Sequence, residues 1–104
     1  MTNDQLAAAL AERVMGWTVV PDRFMMGGRR WLPRWRFQPT ENLLDAFRLL
    51  EGAAPDEYNI SGDDKGNILV RVRIGGVVSE ARGVSTPRAI GYAVAAAVGI
   101  EVEP

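Results

Sequence analysis

Between positions 23 and 36 the chain carries Arg23, Arg29, Arg30, Arg34 and Arg36, five of its twelve basic residues, with no acid between them. Trp31 and Trp35 are interleaved with these arginines, and Gly27-Gly28 supplies backbone that a ligand can approach closely. Guanidinium forks bind phosphate and carboxylate in bidentate fashion, and indole faces stack on bases or on other guanidiniums. Arg29, Arg30, Trp31, Arg34, Trp35 and Arg36 are therefore the leading candidates for contact with an anionic small molecule, a single strand or an acidic protein face. The same residues admit a second reading, in which Trp31 and Trp35 point inward as core and the arginines snorkel or pair with scattered carboxylates. Arg71 and Arg73 share one prospective strand face, and Arg82 on the next strand can join them as a secondary basic strip. On a two-layer sheet such positions are also simply the solvated side.

Other chemistry is narrowed by what is absent. The chain has no histidine and no cysteine. That excludes Ser-His and Cys-His nucleophile pairs, imidazole or thiolate metal ligation, and a disulfide framework. Lys65 is the only lysine, so catalysis would fall to carboxylate, tyrosine, arginine or that one amine. The loop Gly62-Asp-Asp-Lys-Gly-Asn67 lacks the spaced oxygen ligands and closing glutamate of a calcium loop, and reads as a turn. Gly27-Gly28-Arg29-Arg30 is not a phosphate loop, because no lysine and hydroxyl residue follow at the required spacing. Met25-Met26 reads as core filler or as an adaptable contact surface. The expectation is a binding protein, not an enzyme, with no metal and no cofactor.

Composition sets the frame for these candidates. A chain of 104 residues with 47% hydrophobic and 24% charged content is expected to form a single domain, 1–104, with a core of its own. A formal net charge of -1 argues against a whole-surface nucleic-acid binder, though not against a local basic patch. No secretory pattern and no membrane-length apolar run is present, so a cytoplasmic location is the default expectation.

The elements that must position the candidates follow from spacing. Thr2 and Gln5 have capping-box spacing, with Leu6, Leu10 and Val14 on one stripe of a first helix that Gly16 ends. Trp17 to Val20 reads as a short strand closed by Pro21. Residues 21–36 read as a hairpin about Gly27-Gly28 or, because Pro33 interrupts them, as a loop. Thr40 is placed to cap a second helix with Leu43, Leu44, Phe47 and Leu50 on its buried face, stopped at Gly52. Tyr58 and Ile60 begin a period of two. Ile68, Val70, Val72 and Ile74 define one face of the clearest strand, Gly75-Gly76 a tight turn, and Val77 to Arg82 a returning strand. Thr86 and Pro87 open a last helix so apolar that it must lie against a sheet or another helix, and Gly99 ends it.

Two resemblances meet in this pattern. Leu10-Ala-Glu-Arg-Val-Met-Gly-Trp17, the tryptophan-rich segment 31–35, Phe37-Gln-Pro-Thr-Glu-Asn42 and the Val84-Ser-Thr-Pro-Arg-Ala-Ile90 approach to the last helix resemble the phage αβα-sandwich domain family. The resemblance implies a phage or prophage accessory protein in the host cytoplasm, acting on a host protein or a nucleotide-like ligand, with counter-defence or host takeover as a fitting role. It brings no catalytic residues. Residues 40–98 also resemble the double-stranded RNA-binding domain in element order. The lysine cluster of that family is replaced by Thr86-Pro87-Arg88-Ala89, and its loop histidine by Asp63 and Asp64, so the topology is expected without the activity. The alternatives are a nucleic-acid module of that topology or a structural assembly protein. Dimerisation through helix or sheet faces is plausible because three helices leave apolar surface to cover.

The fold expected is α+β, with element order α-β-α-β-β-β-α: an antiparallel sheet of about four strands, a β-meander plus one or more N-terminal strands, packed with helices.

Overall fold

In the computed structural model, which describes residues 1–102, the Thr2 hydroxyl accepts from the Gln5 N–H at 3.1 Å. The Gln5 side chain accepts from the Thr2 N–H at 2.9 Å. This capping box starts α1 (Asn3–Arg13), which buries Leu6, Ala7, Leu10 and Ala11. Gly16, at φ +71°, reverses the chain and lets the Trp17 N–H reach the Ala11 carbonyl at 3.0 Å.

Three short strands follow: β1 (Thr18–Val20), β2 (Arg23–Gly27) and β3 (Arg30–Pro33), antiparallel in that order. The hairpin alternative for this region is the one realised. Gly27 and Gly28 both take positive φ, and a register shift between Met25 and Gly27 absorbs the irregular turn. Pro33 ends an edge strand, where its missing N–H leaves no ladder bond unmade. A single 3-10 turn, Arg34–Arg36, carries the chain away. Beneath this sheet the rings of Trp17, Phe24 and Phe37 meet with centroids 5.1 to 5.8 Å apart, two of the three pairs edge-on.

The second helix, α2 (Leu43–Ala53), differs from expectation at both ends. Asn42 caps it, accepting from the Asp45 N–H at 3.0 Å, while Thr40 is buried. It runs through Gly52, where a Cβ would meet the Met15 sulfur, and stops at Ala54 in the left-handed region at φ +48°. Its buried face is Ala46, Leu49 and Leu50. Leu43, Leu44 and Phe47 are exposed, Leu44 to 81%. The reason lies in its neighbour, because α2 packs on a helix of small residues and the alanine side allows the closest approach.

That neighbour is α3 (Thr86–Ala97), capped by Ser85 one residue earlier than expected, with Pro87 in its first turn. It covers one face of a meander, β4 (Glu57–Gly62), β5 (Ile68–Ile74) and β6 (Val77–Gly83), and packs on α2 with its other side. Val70 and Val72 are fully buried under it, and the Ser79 hydroxyl donates to the Ala93 carbonyl. Gly91 faces the segment Pro39-Thr40 with no room for a side chain. Gly99, at φ +82°, ends the helix, and the Ile100 N–H donates to the Ala95 carbonyl at 2.8 Å.

The α+β class is as expected. Among the described residues six strands form two three-stranded antiparallel sheets, where a single sheet of about four was expected. The N-terminal hairpin closes on β1 and is covered by α1, so it has no need of the meander's edge. Buried residues from both sheets belong to one contiguous core.

Candidate functional site: the arginine and tryptophan hairpin

Strand alternation decides which way the hairpin side chains face. Phe24 is fully buried and opposes Leu32, so the next pair, Met25 and Trp31, lies on the outer face. Trp31 is 51% exposed and Trp35, on the 3-10 turn, is 69% exposed. The inward reading of the two indoles therefore does not hold; the ring that fills the core is Trp17. Arg23 stacks over Trp31 with its guanidinium carbon 4.5 Å from the ring centroid, and Arg36 lies 5.5 Å over Trp35.

The five arginines divide by role. Arg23 is held by Asp22 through hydrogen bonds of 2.8 to 3.2 Å. That contact lowers the Asp22 carboxyl below its ordinary value and raises the guanidinium. Arg34 is tied into the fold, donating to the Val20 carbonyl at 3.1 Å and lying 5.2 Å from the Phe24 ring centroid. Arg29, Arg30 and Arg36 are exposed and take no part in the ion pairs among the described residues. Among the described residues the hairpin thus offers three guanidiniums outside any ion pair and two accessible indoles.

The secondary strip is different in character. Arg71 and Arg73 do share the outer face of β5, but the register sets Glu80 across from Arg71 and Glu57 across from Arg73. Arg71 pairs with Glu80 at 3.8 Å, and Arg73 with Glu57 at 3.7 Å and Asp56 at 4.0 Å. Arg82 lies close enough to Asp63 to help lower its carboxyl pKa. The strip is a charge-balanced ladder over a shallow cleft of about 460 Å³, not a run of free cations.

Spacing alone does not reveal these acids, because cross-strand partners depend on register. It also misses the exposed apolar face of α2; the only signal was that four leucines and a phenylalanine exceed one buried stripe. The 62–67 loop is a turn: Asp63 accepts from the Lys65 and Asn67 N–H groups at 2.8 and 2.9 Å. These bonds, that from Asn67 foremost, lower its pKa. Among the described residues no group of three His, Cys, Asp or Glu could hold a metal ion. None of the described helices is long and apolar enough to cross a membrane.

The order helix, three strands, helix of the RNA-binding resemblance is present as α2, β4 to β6 and α3. Arg88, the one cation at the start of α3, lies 5.1 Å over Tyr92.

No protein-family model and no curated protein matches the chain. Over 99% of its length, and 93% of the other chain, it is similar to a phage protein from Bacillus cereus ATCC 14579 of known crystal structure, with 23% sequence identity and a TM-score of 0.79. The chain shares its fold with that phage protein.

Proposed function

We propose that the chain is a non-catalytic phage or prophage accessory protein of the αβα-sandwich type, which binds an acidic face of a host protein through Arg29, Arg30, Trp31, Trp35 and Arg36. The observation that carries this reading is the pair of exposed indoles, each stacked with an arginine, beside guanidiniums that no carboxylate among the described residues neutralises. Trp and Arg dominate the energetics of protein interfaces, which favours a protein partner for this surface. A nucleotide-like ligand is the second reading, favoured by the 69% exposure of Trp35. Host cytoplasm is the compartment that goes with either partner.

Affinity capture from bacterial lysate tests the reading. The wild type, the double variant R29A/R30A and the single variant W35A are compared side by side. A protein retained by the wild type and lost from both variants supports the site, and equal retention by all three overturns it. Native mass spectrometry of the purified chain separates the second reading: a small anion released on denaturation, and absent from R29A/R30A, would replace the protein partner.

A further inference from the structure

Among the described residues strand β6 is an unpaired edge, because the sheet order is β4-β5-β6. Gly75 and Gly76 have φ of +57° and +83° between the paired residues Ile74 and Val77. Such a two-residue turn closes with the Val77 N–H on the Ile74 carbonyl. Val77 therefore turns its peptide groups toward β5, and by alternation Ser79 and Ala81 do the same. The N–H and C=O groups of Val78, Glu80 and Arg82 are left aimed out of the sheet. Natural edges are usually blunted by proline, lysine or a bulge. This one has seven residues in unbroken register with no proline, lysine or bulge, and the two charges it carries, Glu80 and Arg82, are of opposite sign.

The residues on this edge are complementary to themselves. An antiparallel copy with its two-fold at Ala81 puts Glu80 opposite Arg82 of the second copy, and Arg82 opposite the second copy's Glu80. The same register, continued one residue beyond the strand end at Gly83, sets Val78 against Val84 of the second copy, residues that are 48% and 79% exposed in the single chain. Moving the two-fold to Glu80 or to Arg82 opposes like charges, and moving it to Ser79 sets Val78 against Glu80. The other edge, β4, carries Glu57 as its only charge and offers no matched register.

Strand pairing alone falls short of the roughly 1,200 Å² that stable interfaces bury. Beside the same edge lies a shallow cleft of about 310 Å³ lined by Ala81, Tyr92, Ala96, Ile100 and Val102, with Glu80 at its rim. A two-fold at Ala81 brings this cleft against its counterpart, adding apolar area from the α3 side. We propose that the chain forms a two-fold homodimer through β6, with one six-stranded sheet running across both copies.

Sedimentation equilibrium of the full chain at low salt tests this, with E80R, R82E and the double variant E80R/R82E, each checked for folding by circular dichroism. The wild type should dimerise. Each single variant creates two like-charge oppositions across the two-fold and should weaken association by roughly tenfold or more. E80R also faces Arg71 within its own chain, in the single and the double variant alike, so the comparison of those two cancels that intrachain effect. The double variant restores opposite charges and should recover association to within about threefold of wild type. A wild type that stays monomeric at every concentration, singles that leave the dimer intact, or a double no better than the singles would each overturn the proposal. L44E on α2 should leave the dimer unchanged; dissociation by that variant would place the interface on α2 and overturn it equally.

Discussion

Arg34 donates a hydrogen bond from Nη1 to the main-chain carbonyl of Val20 at 3.1 Å. The same guanidinium lies over the buried Phe24 ring, so it fastens the 3-10 turn to the far strand of its sheet. One arginine of the candidate set is thus part of the scaffold on which the others are displayed. R34A is expected to cost about 1–2 kcal/mol of stability, from a charged hydrogen bond and the packing of its stem. R29A and R30A should stay within about 0.5 kcal/mol of wild type, because both side chains are exposed and make no ion pair among the described residues. Urea denaturation of the three variants checks this. Equal losses in all three would mean that Arg34 has no special structural role.

Gly91 of α3 packs closely on the buried Thr40. A Cβ on Gly91 would fall 2.8 Å from Thr40 Cγ2, whose residue is itself buried. G91A gains about 1 kcal/mol of helix propensity but must displace that methyl, for a net loss of about 1 kcal/mol. Combining G91A with T40S removes the methyl and should return the melting temperature to the T40S value or above. A double variant as unstable as G91A alone would show that the clash lies elsewhere.

The orientation of α2 is tested by a pair of leucines. L49A removes a fully buried side chain and should cost about 2–5 kcal/mol. L44A, at a position that is 81% exposed, should cost under about 0.5 kcal/mol. Similar losses at both positions would restore the face expected from the leucine pattern.

Asp63 makes the 62–67 turn acid-sensitive. Its folded-state pKa lies below the ordinary 3.8, chiefly because the Asn67 N–H donates to the carboxylate. A depressed carboxyl stabilises the fold above its unfolded pKa and loses that contribution as pH falls through the lower folded value. D63A should therefore melt below wild type at pH 7, and the gap should close as the pH drops below about 3.8. A gap that persists unchanged in acid would detach the effect from ionisation.

What the amino-acid sequence determined by itself is local. The Thr2–Gln5 box, the buried face of Ile68, Val70, Val72 and Ile74, the Gly75-Gly76 turn and the Gly99 stop all rest on bonds or periodicities within a few residues. Each therefore reads from the chain directly. The helix starts at Asn42 and Ser85 were shifted by one or two residues because several capping side chains stood in a row. Tertiary structure alone decided which strands pair, and so placed Glu80 and Glu57 across from Arg71 and Arg73 and neutralised the expected strip. It decided that Trp17 fills the core while Trp31 and Trp35 face solvent, since Phe24 already holds the inward position on the hairpin. It also turned Ala46, Leu49 and Leu50 of α2 inward, because α2 carries more apolar side chains than one contact can bury. Burial depends on which surface arrives opposite a residue, and that surface is supplied by chain segments far away in sequence.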